Sequence, residues 1–266
     1  MRMIRLSLAF FLALWLAGCG LLPELQDETK GYSEQRLYTE AKDAMTDGNW
    51  EKAIKYFEAL EARYPYGRFA QQAQLEVAYA YYKDHEPASA VSAADRFIKL
   101  HPNHPNVDYA YYLKGLANFN DELGFVAYVV TQDLTDRDPK AARDSFDAFK
   151  DLVTKYPESK YTPDATKRMH HLVNTLSSYE AHVAHYYYRR GAYVAAANRA
   201  QILLKNYPNT PTTEEALAVM IRSYEALGMK DLATDNQRVL QKTFPDSKYL
   251  KGAPVGEGRA WYRIWD

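Results

Sequence analysis

Hydrophobic and small residues recur along most of the chain at the three- and four-residue spacing of amphipathic helices, and strand-like alternation is nearly absent. The pattern therefore predicts an all-α protein. Five amphipathic stretches end in the same way, with a bulky ring followed by proline, which cannot continue a helix. These steps are Tyr64-Pro65, His101-Pro102, Tyr156-Pro157, Tyr207-Pro208 and Phe244-Pro245.

The five stretches also share residue types at fixed distances from the proline. A small residue stands twelve positions before it: Ala53, Ala90, Ser145, Ala196 and Ala233. A large residue stands five positions before it: Leu60, Phe97, Leu152, Leu203 and Leu240. Small residues let two helices approach closely and large ones fill the space between them. The spacing therefore predicts five helix pairs.

This pattern resembles the tetratricopeptide repeat of about 34 residues. We predict a tetratricopeptide-repeat solenoid of five helix pairs in a right-handed superhelix over residues 33–249. The expected repeats are 33–67, 68–104, 105–159, 160–210 and 211–249, with a long helix at about 163–190 and an insertion at 120–138 that fits no repeat. Stacked pairs leave a concave surface lined by their first helices, which is the architecture of a binding scaffold.

Turn and capping residues support these boundaries. Gly48, Gly191 and Gly228 fall where the helices of a pair must turn. Thr162 before Pro163, and Asp138 before Pro139, are predicted to cap the helices that follow.

The first residues have the pattern of a bacterial export signal. Residues 1–18 combine two arginines with an apolar run that is too short to span a bilayer, and the string Leu16-Ala17-Gly18-Cys19 spans the end of this segment. This string resembles a lipobox, so we predict lipidation of Cys19, removal of residues 1–18 and a tether at 19–32. The alternative is an ordinary signal peptide with a stray cysteine. Gly20, where an inner-membrane retention signal has Asp, favours the inner leaflet of the outer membrane.

Composition excludes several classes of protein. The 266 residues carry 33 Lys+Arg and 34 Asp+Glu, so there is no basic field for nucleic acid. A single Cys excludes a disulfide framework and cysteine metal sites. The sequence has none of the common nucleophile, phosphate-loop or dinucleotide motifs. We therefore predict no enzyme activity and no cofactor other than the lipid on Cys19.

Histidines supply the one alternative from the enzyme class. His170 and His171 adjoin, and His182 and His185 share a helix face. A metal-dependent cell-wall hydrolase could use His170, His182 and His185, although packing histidines are the favoured interpretation.

Tyrosine is abundant, with 23 copies, and several fall where first helices face the groove. The candidates for a peptide groove are Gln35, Tyr38, Leu75, Tyr79, Tyr82, Tyr109 and Tyr112. Tyr offers a large apolar face and a hydroxyl at small entropic cost, which suits an extended peptide with aromatic side chains. The alternative is that these rings fill gaps between helices. The tail, residues 250–266, is apolar at its end, and we expect it to fold back on the repeats.

Several local strings resemble the BamD family, the lipoproteins of the bacterial outer-membrane barrel assembly machine. Among them are Asp47-Gly48-Asn49-Trp50, Arg63-Tyr64-Pro65-Tyr66-Gly67 and Arg190-Gly191-Ala192-Tyr193-Val194-Ala195. The resemblance runs from the signal to about Tyr249. It implies a non-catalytic scaffold.

The resemblance also implies partners. Members of the family dock on the POTRA domains of the insertase BamA, meet accessory Bam lipoproteins and receive the C-terminal signals of unfolded outer-membrane proteins. The family's insertase-contacting arginine matches Arg199, preceded by Asn198, which we expect to be exposed. The alternative function is a peptidoglycan-associated or secretion-pilot lipoprotein, because those also combine a lipobox with such repeats.

Overall fold

The computed structural model describes residues 28–119 and 139–255. Within these ranges the chain forms ten α-helices and no β-strand. The helices are α1 (Glu34–Thr46), α2 (Trp50–Arg63), α3 (Ala70–Lys83), α4 (Pro87–Leu100), α5 (Val107–Asn118), α6 (Lys140–Lys155), α7 (Thr162–Arg189), α8 (Tyr193–Asn206), α9 (Thr213–Ala226) and α10 (Lys230–Thr243). One helix pair lies within each repeat range expected from the sequence, and the all-α, tetratricopeptide-type fold is confirmed.

The residues that define the repeat lie in the core. The five small residues are between 0 and 6% exposed, and the five large residues are at most 1% exposed. Each helix packs mainly against the helix before it and the helix after it, and α3 also contacts α5 while α7 contacts α9. Because a pair alone leaves one face uncovered, its burial depends on the neighbouring repeat.

Each second helix ends in the same geometry. The backbone N–H of the ring residue before proline donates a 2.8 Å hydrogen bond to the carbonyl of the large core residue four positions earlier. The donor and acceptor residues are Tyr64 and Leu60, His101 and Phe97, Tyr156 and Leu152, Tyr207 and Leu203, and Phe244 and Leu240. The proline then prevents the helix from continuing, so the chain turns to the next repeat.

The turns within pairs need left-handed backbone. Gly48, Gly191 and Gly228 have φ of 73°, 75° and 73°, as expected where a helix ends and reverses. In the second pair His85 takes this conformation with φ of 60°.

The third pair shows how closely its helices approach. Gly115 on α5 faces Phe149 on α6, and a Cβ on Gly115 would lie 2.4 Å from the Phe149 ring. The Ser145 hydroxyl donates a 2.9 Å hydrogen bond to the Gly115 carbonyl. Glycine here is therefore required by packing.

One capping prediction was wrong. Helix α7 begins at Thr162 itself, with Tyr161 at the cap position and no side-chain capping bond. The Thr162 hydroxyl instead donates a 2.8 Å bond to the Tyr156 carbonyl, which closes the preceding turn. Helix α7, with 28 residues, is the long helix that was expected. Helix α6 begins at Lys140 with Pro139 at the cap position, where Asp138 was expected from the sequence. Asp138 itself and the insertion at 120–138 lie outside the described residues.

Residues before α1 and after α10 pack against the two ends of the repeat array. Before α1, the Arg63 guanidinium donates to the carbonyl and hydroxyl of the buried Thr29. After α10, Leu250 packs against the core of the last pair and Val255 against the cluster built by α7, α8 and α9. The first part of the tail therefore folds back, and residues 256–266 lie outside the described part. Within the described residues, no helix has the length and apolarity that a membrane span needs.

Candidate functional site

A groove of about 340 Å³ crosses the first three repeats and reaches Tyr161 at the start of the fourth. Its lining comes from the first helices α1, α3 and α5 and from two inter-repeat turns: Lys42, Met45, Gln72, Leu75, Glu76, Tyr79, Asn106, Tyr109 and Tyr161. The groove is where stacked first helices are expected to form a concave surface.

The charges in the groove neutralise each other. The Lys42 ammonium lies 2.9 Å from both carboxylate oxygens of Glu76, whose side chain is 14% exposed. The Gln72 amide donates a further 2.9 Å bond to Glu76. A ligand therefore meets aromatic faces beside a paired charge.

Rings of neighbouring repeats contact one another around this groove. Tyr79 meets Trp50 edge-on, with ring centroids 5.9 Å apart. Tyr161 lies 5.3 Å from the ring of Tyr109 and stacks on Tyr112 at 4.8 Å, with planes 16° apart. The aromatic lining is thus fixed by packing before any ligand binds.

The hydroxyls of Tyr109 and Tyr112 remain protonated near neutral pH, because the pKa of each is raised. Burial raises the pKa of Tyr109 well above its usual value, and the neighbouring Tyr79, Tyr161 and Glu76 add to the effect. Burial, with a 2.7 Å hydrogen bond to Asp164, raises the pKa of Tyr112 to about 12. These groups can therefore donate hydrogen bonds but cannot serve as bases at neutral pH.

Three of the seven sequence candidates line the groove: Leu75, Tyr79 and Tyr109. Leu75 is only 3% exposed and belongs largely to the core with Phe97 and Val107. Only a small part of the Leu75 side chain is therefore accessible to a peptide.

The other four candidates lie outside that lining. Tyr38 stacks on Phe69, Tyr82 packs partly buried against the first core cluster, and Tyr112 bonds to Asp164. Gln35 is exposed and accepts a 2.5 Å bond from Arg68.

Sequence reasoning missed Tyr161, because it considered first helices and not the residue before them. An aromatic residue directly before a first helix occurs at two places in the sequence. Phe69 and Tyr161 each stand directly before a first helix and stack on a tyrosine of the preceding first helix, at 4.5 Å on Tyr38 and 4.8 Å on Tyr112.

Arg199 is placed differently from the freely exposed side chain that was expected. Its guanidinium Nη1 lies 2.9 Å from Oε2 of Glu180 on α7, and its side chain is 38% exposed. The sequence expectation overlooked Glu180, a carboxylate buried to 4% exposure. Asn198 is exposed beside it.

The histidines do not assemble a metal site in the described part of the chain. There, no three His, Cys, Asp or Glu side chains come together as metal ligands. His185 is buried against Glu215, with Nε2 3.3 Å from Oε1, whereas His170 is exposed. The packing interpretation of His185 therefore fits the structure better than a ligand role.

Comparisons with known proteins give a consistent result. Residues 30–240 match the YfiO family, described as outer membrane lipoprotein. The outer membrane protein assembly factor BamD of Neisseria meningitidis serogroup A is 45% identical over 266 residues, covering 99% of this chain and 100% of the relative.

More distant relatives carry the same name. BamD of Xylella fastidiosa strain Temecula1 is 42% identical, covering 91% of this chain and 84% of the relative, and BamD of Vibrio cholerae is 36% identical, covering 85% and 92%. The solved structure of the MamA protein aligns over 84% of this chain and 97% of its own length, with 15% identity and a TM-score of 0.36. The chain belongs to the BamD family of outer-membrane lipoproteins.

Proposed function

We propose that this protein is an assembly factor for outer-membrane β-barrel proteins, acting as a non-catalytic scaffold. It receives unfolded barrel segments in the groove of repeats one to three and docks the insertase BamA through its later repeats. The observation that carries the proposal is the groove of α1, α3 and α5, in which Tyr79, Tyr109 and Tyr161 present aromatic faces. Its relatives named as assembly factors support the same role.

The chemistry of the groove suits the end of a barrel strand. Such strands alternate apolar and polar side chains with aromatic residues at the membrane interfaces. Aromatic walls bind such side chains through their faces, and tyrosine hydroxyls can donate hydrogen bonds to backbone carbonyls, so binding needs no strict sequence. The internally paired Lys42 and Glu76 add polarity without a net charge.

Peptide binding to the purified protein tests the groove. A fluorescent peptide with the last strand of a barrel protein should lose about tenfold in affinity with Tyr79→Ala or Tyr109→Ala, about 1.4 kcal/mol. Tyr66→Ala is the matched control, because the Tyr66 side chain is 99% exposed and lies outside the groove lining. Equal affinities for all four proteins contradict the groove assignment.

The docking role is proposed for Arg199 with Asn198, on the α8 surface. Affinity co-purification from detergent-solubilised outer membrane should recover BamA with the wild type and lose it with Arg199→Leu. Because Arg199 also pairs with Glu180, circular dichroism must show that the variant is folded. Recovery of cell-wall fragments instead of BamA, with the wild type, favours the peptidoglycan-associated alternative.

The lipid anchor completes the proposal. Acylated Cys19 would hold the scaffold on the inner leaflet of the outer membrane, where it meets accessory Bam lipoproteins. Several acyl chains anchor a protein stably, whereas one chain is marginal. Mass spectrometry of the mature N-terminus tests the modification, and Cys19→Ser should release the protein into the periplasmic fraction.

A further inference from the structure

A buried carboxylate lies between two arginines from different repeats. Glu180, on α7, has one carboxylate oxygen 2.9 Å from Arg199 of α8 and the other 3.6 Å from Arg143 of α6. The Glu180 side chain is 4% exposed, whereas those of Arg143 and Arg199 are 50% and 38% exposed. Repeats three and four therefore meet in a single charged cluster.

The charges of this cluster do not balance. Two guanidinium groups and one carboxylate sum to +1, and within the described residues Glu180 is the only carboxylate within ion-pair distance of either arginine. A guanidinium has five N–H donors, and each arginine reaches Glu180 through one nitrogen. Both groups keep exposed donors, and the described part of the chain leaves one positive charge of the cluster without a partner carboxylate.

We infer that Arg143 and Arg199 form one docking site for an acidic side chain of the partner, and that Glu180 is the positioning residue that holds them together. The inference rests on the docking role proposed above for Arg199. A partner carboxylate brings the cluster to neutrality and can accept from two planar guanidinium forks. Glu180 already holds the Arg199 guanidinium at 2.9 Å and lies 3.6 Å from that of Arg143, so less conformational entropy is lost on binding than for two unpaired side chains.

Calorimetric titration with the purified periplasmic POTRA fragment of BamA from the same bacterium tests the inference. Arg199→Leu and Arg143→Leu should each weaken binding at least about tenfold, as expected when one member of a desolvated charge pair is removed. The double variant should lose less than the product of the two single losses, because both arginines serve one carboxylate.

Arg96→Leu is a matched control. Arg96 is 51% exposed and pairs at 3.0 Å with Glu61, which is 14% exposed, so it repeats the arginine–glutamate pairing between the first and second repeats. It should leave the affinity unchanged. If Arg199→Leu weakens binding while Arg143→Leu does not, the two-arginine site is overturned and the proposed docking residue stands. If Arg199→Leu has no effect on binding, the two-arginine site and the docking role of Arg199 are both wrong.

The variant Glu180→Gln shows whether Glu180 positions the two arginines for the partner or competes with the partner's carboxylate for them. If Glu180 positions the arginines, removing its charge lowers the affinity for the POTRA fragment, although the surface itself becomes more positive. An unchanged affinity overturns this role, and so does an increase, because Glu180 would then compete with the partner. Thermal melting followed by circular dichroism shows whether the variant is folded. Should it not fold, Arg143→Lys takes its place and is expected to weaken binding, because lysine keeps the charge and loses the planar fork.

Discussion

The ring of Tyr161 stacks on the ring of Tyr112 with centroids 4.8 Å apart and planes 16° from parallel. Tyr112 lies on α5 and Tyr161 directly precedes α7, so the contact joins the third repeat to the fourth. Phe69 repeats the arrangement on Tyr38, between the first and second repeats. An aromatic residue before a first helix thus orders the ring that lies one repeat earlier.

Tyr161→Ala should weaken both the groove and the repeat junction. It removes the stack on Tyr112 and the contact with Tyr109, each worth about 0.5–1.5 kcal/mol beyond simple burial. We expect a lower melting temperature and about a tenfold loss of affinity for a barrel-strand peptide. Tyr161→Phe keeps the ring and should retain most of both properties. Wild-type affinity in Tyr161→Ala would show that the ring is not part of the binding surface.

Gly115→Ala should destabilise the third pair. The added Cβ would lie 2.4 Å from the ring of Phe149, which is fully buried in the core. Overpacking costs about 1–3 kcal/mol, whereas alanine gains about 1 kcal/mol in helix propensity. The clash therefore dominates, and chemical denaturation should show a loss of about 1–2 kcal/mol. In a Phe149→Leu background the same change should be neutral or stabilising, and an equal loss in both backgrounds would exclude the clash as its cause.

His185 should make the fold sensitive to mild acid. Burial lowers the pKa of His185, with smaller contributions from Arg189 and His182, while Glu215 raises it. Because the folded pKa lies below that of the unfolded chain, about 6.5, the unfolded state binds more protons as the pH falls through this value. The free energy of unfolding should therefore fall below pH 6.5, by at most about 1.4 kcal/mol per pH unit for one group.

The pH dependence is measured by urea denaturation between pH 7.5 and 5. His185→Gln should flatten the profile over this range, whereas His170→Gln, at an exposed position, should leave it unchanged. A wild-type slope that survives His185→Gln assigns the sensitivity to another group.

The repeat fold could be predicted from the sequence because each repeat carries residues of a given size at a fixed spacing. A small residue and a large residue, such as Ala53 and Leu60, recur at the same distances before proline in all five repeats, so the repeats support one another as evidence for the pattern. The same reasoning placed Leu75, Tyr79 and Tyr109 in the groove. It also selected Tyr38, Tyr82 and Tyr112, which lie on first helices but outside the groove lining, because spacing alone does not show which face of a helix is covered by its neighbours.

Side-chain contacts between helices could not be predicted from residue spacing in this way. The pairing of Glu180 with Arg143 and Arg199 joins residues 37 and 19 positions apart. A glutamate on a helix is ordinarily solvated, and its burial depends on how α6, α7 and α8 pack together. The stack of Tyr161 on Tyr112 likewise depends on the turn that precedes α7.

Photo-crosslinking in growing cells tests the central claim most directly. A photoreactive phenylalanine analogue at position 79 lies in the groove, and the same analogue at position 186, where Tyr186 is 46% exposed on the fourth repeat, is the control. Position 79 should give adducts with newly made barrel proteins that disappear as the barrels fold, and position 186 should give none. If position 79 gives no barrel adduct while the protein supports growth, or if both positions crosslink barrels equally, the groove does not receive them.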